Sequence, residues 1–547
     1  MKKFYRITGL ITTLSLILVA CGNGDNGEQN SQATTQSSND QEEVVNWVVG
    51  TELSSLDTSV LNQIDTSNVA SHLQEGLYWE DKNNEVHPAL AEDLPQISDD
   101  QLTYTIKVKK GAKWSNGDPI TAHDFVYGIQ RLVDPETGSG HAYLARPIEN
   151  VPEIQAGEKS PEEVGFKALD DYTIEVHLTQ PMPHLLNMLG YTPFYPLNKD
   201  FVKKQGEAFG TNSDTVISSG PYVIQDWDGT NQEWTLVKND KYFNADKIDI
   251  EKIHTQVIKE VATGVNLFEA GEVDNAPISG ELAQQYVDHP EAKSTPRGAV
   301  YFLNFNHKNN ALQNHDLRLA IDYAIDNQTV VDQIIANRSQ ATASLVPKDI
   351  ANNPKTGQEF VEDSDLDPRV STDQAQSHWK KAQAELGDEV NLTLLVGDSE
   401  GTKRLAEYIQ GQLQNNLPGL KVNINVQPGK SALEAKSKGN YDLALSGWVP
   451  GYASPSNLLE LLQSDSDNND SYYSNNEYDE LVNKAINSID DQERYDYELQ
   501  ANQLAYEDVA ILPLYQSSDL ELFNSRIKDL TERPVGNEYD FRTAHID

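Results

Sequence analysis

An α/β fold in more than one domain is what this sequence predicts, on three observations. Strand-period and helix-period segments alternate from Val44 onward, and such alternation favours sheets covered by helices. The chain has 547 residues, too many for one hydrophobic core, so two or three domains are expected. Apolar residues make up 38% and charged residues 23%, the balance of a globular protein rather than a disordered one.

The chain opens with Lys2, Lys3 and Arg6, followed by an apolar run over 7–20. That run is shorter than the roughly 20 apolar residues of a membrane span, so residues 1–20 read as an export signal. Cys21 is the only cysteine, which excludes an internal disulfide and any multi-cysteine metal or cluster site. Residues 22–43 are nearly all Gly, Asn, Ser, Gln, Thr and Asp. They cannot bury enough apolar surface to offset chain entropy, so 21–43 reads as a flexible tether.

In the folded part, Leu102, Tyr104, Ile106 and Val108 share one face of a strand that ends at Gly111. Over 121–134, Ala122, Phe125, Val126, Ile129, Leu132 and Val133 recur at helical spacing. Thr121 with Asp124 gives that helix a capped start, because the hydroxyl can accept an orphan backbone N–H. Further strands are expected at 173–178, 234–238, 300–306, 391–396, 421–426 and 441–446, and helices at 315–336, 401–415 and 492–508. The Pro-, Asp- and Asn-rich span 349–373 reads as a surface loop. There is no internal repeat, and nothing after residue 21 approaches a membrane-length apolar run.

With 85 acidic and 42 basic side chains the formal charge is −43. Such a field repels phosphate backbones and anionic headgroups, which argues against nucleic acid and against electrostatic docking to membranes. A surface charged for solubility needs no more than this. The sequence lacks H-E-x-x-H, a P-loop, a nucleophile elbow and G-x-G-x-x-G. Its 12 His are scattered; His307 and His315 are the closest mid-chain pair, and each reads as a packing or surface residue. Asp99-Asp100 and Asp490-Asp491 sit in polar turns. No catalytic site, metal or cofactor is expected.

Several stretches carry a resemblance: 67–81 (SNVASHLQEGLYWED), 88–94 (PALAEDL), 102–127 (LTYTIKVKKGAKW and SNGDPITAHDFVY) and 135–144 (PETGSGHAYL). Ser219-Gly220-Pro221-Tyr222, 268–274 (FEAGEVD) and NHDLRLAIDYAID within 301–326 continue it. In order and spacing these resemble the peptide- and nickel-binding class of extracellular solute-binding proteins, above all its oligopeptide-binding lipoproteins. The resemblance runs from about Val44 to the end of the chain. Leu18-Val19-Ala20-Cys21 also resembles a lipobox. That implies a diacylglycerol thioether on Cys21 and cleavage before it, the alternative being a buried Cys in an uncleaved anchor helix. Two or three acyl chains hold firmly, at about 0.8 kcal/mol per buried CH₂.

The resemblance implies two lobes that close on a ligand at a hinge, with an extra domain inserted into the first. Matching segments place the first lobe at 44–84 with 200–296 and 515–547, the inserted domain at 85–199, and the second lobe at 297–514. In that class an extended oligopeptide lies between the lobes as an added strand. Pairing with main-chain groups ignores sequence, and water fills pockets that small side chains leave.

Two segments match the class's peptide-pairing strands. In 446–452 (SGWVPGY), followed by Ser454-Pro455, the residues Gly447, Trp448 and Val449 would offer backbone, Gly447 permitting close approach. Gly451 and Tyr452 complete that segment. On spacing alone, Trp448 reads equally well as a core aromatic. The second segment is Asn62-Gln63-Ile64. Where the class often has an Asp that pairs with the peptide's α-amino group, this chain has Gly451. Losing one member of a buried ion pair costs about 3–5 kcal/mol. Three outcomes stay open: another carboxylate substitutes, the amine stays hydrated, or the ligand is held in its middle. The last two suit a longer apolar signalling peptide such as a pheromone.

The partners implied are the membrane permease of an ATP-driven peptide importer and, through the lipid anchor, the outer face of the cell membrane, with the protein a monomer. The rivals are the same scaffold binding a nickel chelate, sugar or haem, an anchored peptidase, and a surface adhesin or chaperone.

Overall fold

The computed structural model describes residues 44–547 apart from Asn62 and Asp467. The export signal, Cys21, the tether and Asn62 lie outside the described residues. The described residues form one compact unit.

Three larger sheets carry the architecture. In the first, Val44–Val49 pairs in parallel with Lys252–Val257, followed by antiparallel Glu233–Lys238 and Tyr222–Gln225. Alternation turns Val45, Trp47 and Val49 inward, where they meet Val69 and Leu73 of the helix Ile64–Leu73. Ile527, Phe541 and Ala544, from the end of the chain, fill the same core.

The second sheet is antiparallel throughout, in the order Gln96–Ile97, Thr103–Lys107, Thr173–His177, Phe166–Asp170. Of the expected face, Tyr104, Ile106 and Val108 are buried and Leu102 is half-buried, packed with Phe125, Ile129 and Leu132 of the helix Ala122–Val133. The capped start is present, and the Asp124 carboxylate reaches back to accept the Thr121 N–H at 2.7 Å.

The third sheet has seven strands, six of them in the order Asn275–Ile278, Ile511–Phe523, Ala292–Phe305, Leu443–Trp448, Val390–Gly397, Leu420–Gln427. Its two longest members run side by side through the molecule. At one end Ser518–Leu522 pairs with Ala292–Pro296, and Asn275–Ile278 flanks the strand Ile511–Phe523 on its other side. At the other end Val300–Asn304 pairs with Ile511–Gln516 and, on its other side, with Leu443–Trp448. Between Pro296 and Val300 the register shifts, leaving three residues, Arg297 to Ala299, without partners in the ladder.

Gly298 donates its N–H to the Pro534 carbonyl at 2.8 Å. A Cβ there would overlap Val535 Cγ1 and lie 2.7 Å from Ile350 Cδ1. Gly298→Val should therefore cost about 1–3 kcal/mol through overpacking, read as a lower thermal midpoint. An unchanged melt would contradict the tight crossing.

The sequence expectations fail locally in two places. The helix expected over 315–336 stops at Ala324; Ile325 is extended, and Asp326 caps a new turn by accepting the Thr329 N–H at 3.2 Å. A mid-helix Asp competes for backbone donors in this way. The expected loop 349–373 contains the short helix Phe360–Ser364, pinned by a buried Phe360.

Candidate functional site

The strand Leu443–Trp448 is the centre of the site. On one side it pairs antiparallel with the Ala292–Phe305 strand, from Leu443 opposite Phe305 to Trp448 opposite Val300. On the other side its parallel pairing with Val390–Gly397 covers only Leu443 and Ala444. Among the described residues, no strand takes up that edge from Leu445 to Trp448. Edge groups of this kind need a partner, either water or another extended chain.

Gly447 is exposed and sits opposite Tyr301. A Cβ on it would lie 2.8 Å from Tyr301 Cδ1, so the close approach that this glycine permits is made by the neighbouring ring. Tyr301 in turn stacks on Tyr515, with centroids 4.9 Å apart. Beside the open edge lies an apolar pocket of about 460 Å³, lined by Leu395, Leu405, Leu433, Leu445 and Leu514. Tyr301, Leu433 and, farther along, Val449 are large apolar side chains left exposed.

Past the strand, Trp448 is half-buried and donates Nε1–H to Asn457 Oδ1 at 3.4 Å. Tyr452 is buried and stacks on His184 at 4.1 Å. Trp448 and Tyr452 line a cavity of about 630 Å³ with Tyr143, His184, Glu460 and Arg494. Burial, helped by nearby Arg494, pushes His184 down to about 3, so its ring is neutral. Gly451 packs between Tyr191 and Gly536: its own Cβ would lie 4.0 Å from Tyr191 Cε1, and its carbonyl is 3.6 Å from the Cβ position of Gly536.

Gln63 and Ile64 lie elsewhere. Ile64 lines a separate cavity of about 500 Å³ with Asp65, Arg297, Asp519, Glu521 and Glu538. The expectation of an extended 62–64 segment needs correction. Ile64 opens a helix, with Ser67 N–H bonded to the Gln63 carbonyl at 2.9 Å, and only Gln63 among the described residues of that segment is extended. First-turn N–H groups of a helix remain unpaired, so Ile64 still offers a donor.

Glu460 was not singled out from sequence. A signal was there: an acid inside Leu458-Leu459-Glu460-Leu461-Leu462, where all four leucines are buried. His307 is half-buried and His315 is on the surface, each bonded to a backbone carbonyl, of Ala510 at 2.8 Å and of Glu507 at 3.0 Å. Asp81, Glu85 and His87 bring potential metal-ligand atoms together. However, Asp81 already accepts the N–H groups of Asn83 at 2.8 Å and Glu85 at 3.0 Å, so the group is explained as a turn. No helix among the described residues is long and apolar enough to cross a membrane.

An open strand edge flanked by an apolar pocket and a mixed polar cavity is a surface that can hold a ligand. The chain belongs to the bacterial extracellular solute-binding proteins of family 5, whose middle-region model matches residues 85–470. A dipeptide-binding protein of Lactococcus lactis is 31% identical over the full length of both chains. Among solved structures, the OppA protein of Listeria monocytogenes bound to peptide is 36% identical. It superposes with a TM-score of 0.76 over 92% of this chain and 99% of its own. The pheromone receptor PrgZ, 34% identical, also gives 0.76, over 92% of this chain and 100% of its own. The two-lobed α/β solute-binding fold expected from the resemblance is therefore the fold of this chain.

Proposed function

We propose that this chain captures oligopeptides outside the cell and delivers them to the membrane permease of an ATP-driven importer, doing no bond-making chemistry itself. The observation that carries this reading is the open backbone edge from Leu445 to Trp448, in a chain whose relatives include a peptide-bound structure. Main-chain pairing on that edge holds peptides of many sequences, with Gly447, Trp448 and Val449 as the pairing segment and Gln63 and Ile64 as a further contact. Gly451 and Tyr452 form the turn that borders the ligand.

The lobes of this reading are 44–84 with 200–296 and 515–547, and 297–514, with 85–199 inserted. The unpaired residues Arg297 to Ala299 in the strand Ala292–Phe305 support a hinge there. Cys21 carries the lipid, 21–43 is the tether, and the protein works as a monomer on the outer face of the cell membrane. Native mass spectrometry of the protein purified from its own membrane tests both halves of the proposal. Ligand increments matching peptides and a diacylglyceryl increment on Cys21 are expected. An increment matching a metal complex would overturn the peptide reading.

A second reading, in which the cargo is an apolar signalling peptide, is favoured by the leucine-lined pocket beside the edge. Each buried Leu or Val side chain contributes about 1.5–3 kcal/mol. A Leu- and Val-rich heptapeptide should then bind at least about tenfold tighter than its Ser-rich counterpart, and equal affinities would count against it.

A further inference from the structure

We infer that Glu460 is a ligand-facing carboxylate and that the cavity it lines takes a cationic group of the bound peptide, an ammonium or a guanidinium. This rests on the peptide reading above and names the chemistry that one end of the cleft selects.

Three observations carry it. Trp448 both ends the open edge and lines the cavity of about 630 Å³, so a chain paired along that edge runs into this space. Glu460 lies on the turn Glu460–Leu462, which follows the helix Pro455–Leu459. Leu458, Leu459 and Leu462 go into the core, whereas Glu460 and Leu461 line the cavity. Among the described residues no side chain donates a hydrogen bond to its carboxyl and none pairs with it. Arg494, on the same wall, is engaged by Asp491 at 2.6 Å.

The surroundings make this carboxyl incomplete. Glu498, buried nearby, accepts the Ser456 hydroxyl at 2.6 Å. Burial first, then repulsion from Glu498, raises Glu460 to about 7; burial raises Glu498 to about 7 as well. His184 supplies no charge, the phenols of Tyr143 and Tyr452 are held neutral by burial, and Arg146 and Asp465 complete the charged lining. Glu460, poorly solvated on the cavity wall beside a second buried carboxyl that Arg494 already favours, is most stable when a cation arrives with the ligand.

The test is titration calorimetry at about pH 6 on the full chain and on Glu460→Gln, with four hexapeptides. These are Lys-Ala-Ala-Val-Ala-Ala, its N-acetylated form, its norleucine-for-lysine form, and the form with both changes. In the wild type, removing the engaged cation should weaken binding about 10- to 100-fold. Loss on acetylation identifies the α-ammonium as the partner, and loss on norleucine substitution identifies the side chain. Glu460→Gln should bind all four alike. A second readout stands on the wild type alone. A carboxyl protonated in the free protein and ionised opposite a cation releases up to one proton per cationic peptide, counted from heats in two buffers of different ionisation enthalpy. Equal wild-type binding of all four peptides, or a cation preference that persists in Glu460→Gln, overturns this inference alone. No binding of any of the four overturns the peptide reading and this inference with it.

Discussion

Arg542→Met should lower stability by about 3–5 kcal/mol at neutral pH, the range for breaking a buried ion pair from one side. Arg542 lies 3.2 Å from Glu75 and 3.4 Å from Asp540, and Arg533 reaches Asp540 at 3.0 Å. The Tyr242 hydroxyl donates to Glu75 at 2.6 Å. His72, on the helix behind, donates Nδ1–H to the Asn68 carbonyl at 2.6 Å and accepts the Phe541 N–H at 3.1 Å. Burial alone would raise the Asp540 carboxyl, but Arg542 and Arg533 outweigh it and hold Asp540 well below the usual carboxylate range. A depressed folded pKa contributes stability that is complete above the ordinary value near 4 and is lost only as pH falls through the folded value. Without Arg542 the two acids rise and take up protons on acidification. The deficit of the variant should therefore be largest near pH 7.5 and shrink near pH 4.5, as read by scanning calorimetry. A deficit that does not change between those values would remove the network from the account.

Single N-methylation along a bound peptide should weaken binding with a period of two. In an extended chain successive N–H groups point to opposite sides, and one edge, from Leu445 to Trp448, is open among the described residues. Every second methyl group then removes a hydrogen bond, at about 5- to 100-fold each, while the positions between lose little. Uniform loss at every central residue would show a second pairing edge. No loss anywhere would sink backbone pairing altogether.

What could be read from sequence was what local periodicity encodes. The face Tyr104, Ile106, Val108 and the helix at 121–134 follow directly from spacing, and both are buried where spacing puts them. Strand pairing is a long-range property, so the double-length strands Ala292–Phe305 and Ile511–Phe523 were only half visible. In the second of these, the run Ile511 to Leu514 directly follows a helix and gives no alternation to mark it. The break at Asp326 was hidden because the apolar period continues through it. Gly451 was legible as a missing carboxylate, but sequence gave no hint that it packs against Tyr191 and faces Gly536. Glu460 was marked only by its leucine neighbours, which leave its role open. Whether an acid among leucines is paired depends on what stands opposite it in space.

The two long strands have a mechanical consequence. A hydrogen-bonded ribbon resists sliding along its own length, because many rungs must break together, but it flexes readily where rungs are missing. With three unpaired residues midway and a second register shift between Tyr301 and Phe302, the ribbon resembles a leaf spring weakened near its middle. In the two-lobe reading proposed above, the halves would tilt toward each other without slipping out of alignment. Cargo in the cleft would then be signalled outward as an angle, a quantity that a membrane partner can sense without touching the cargo.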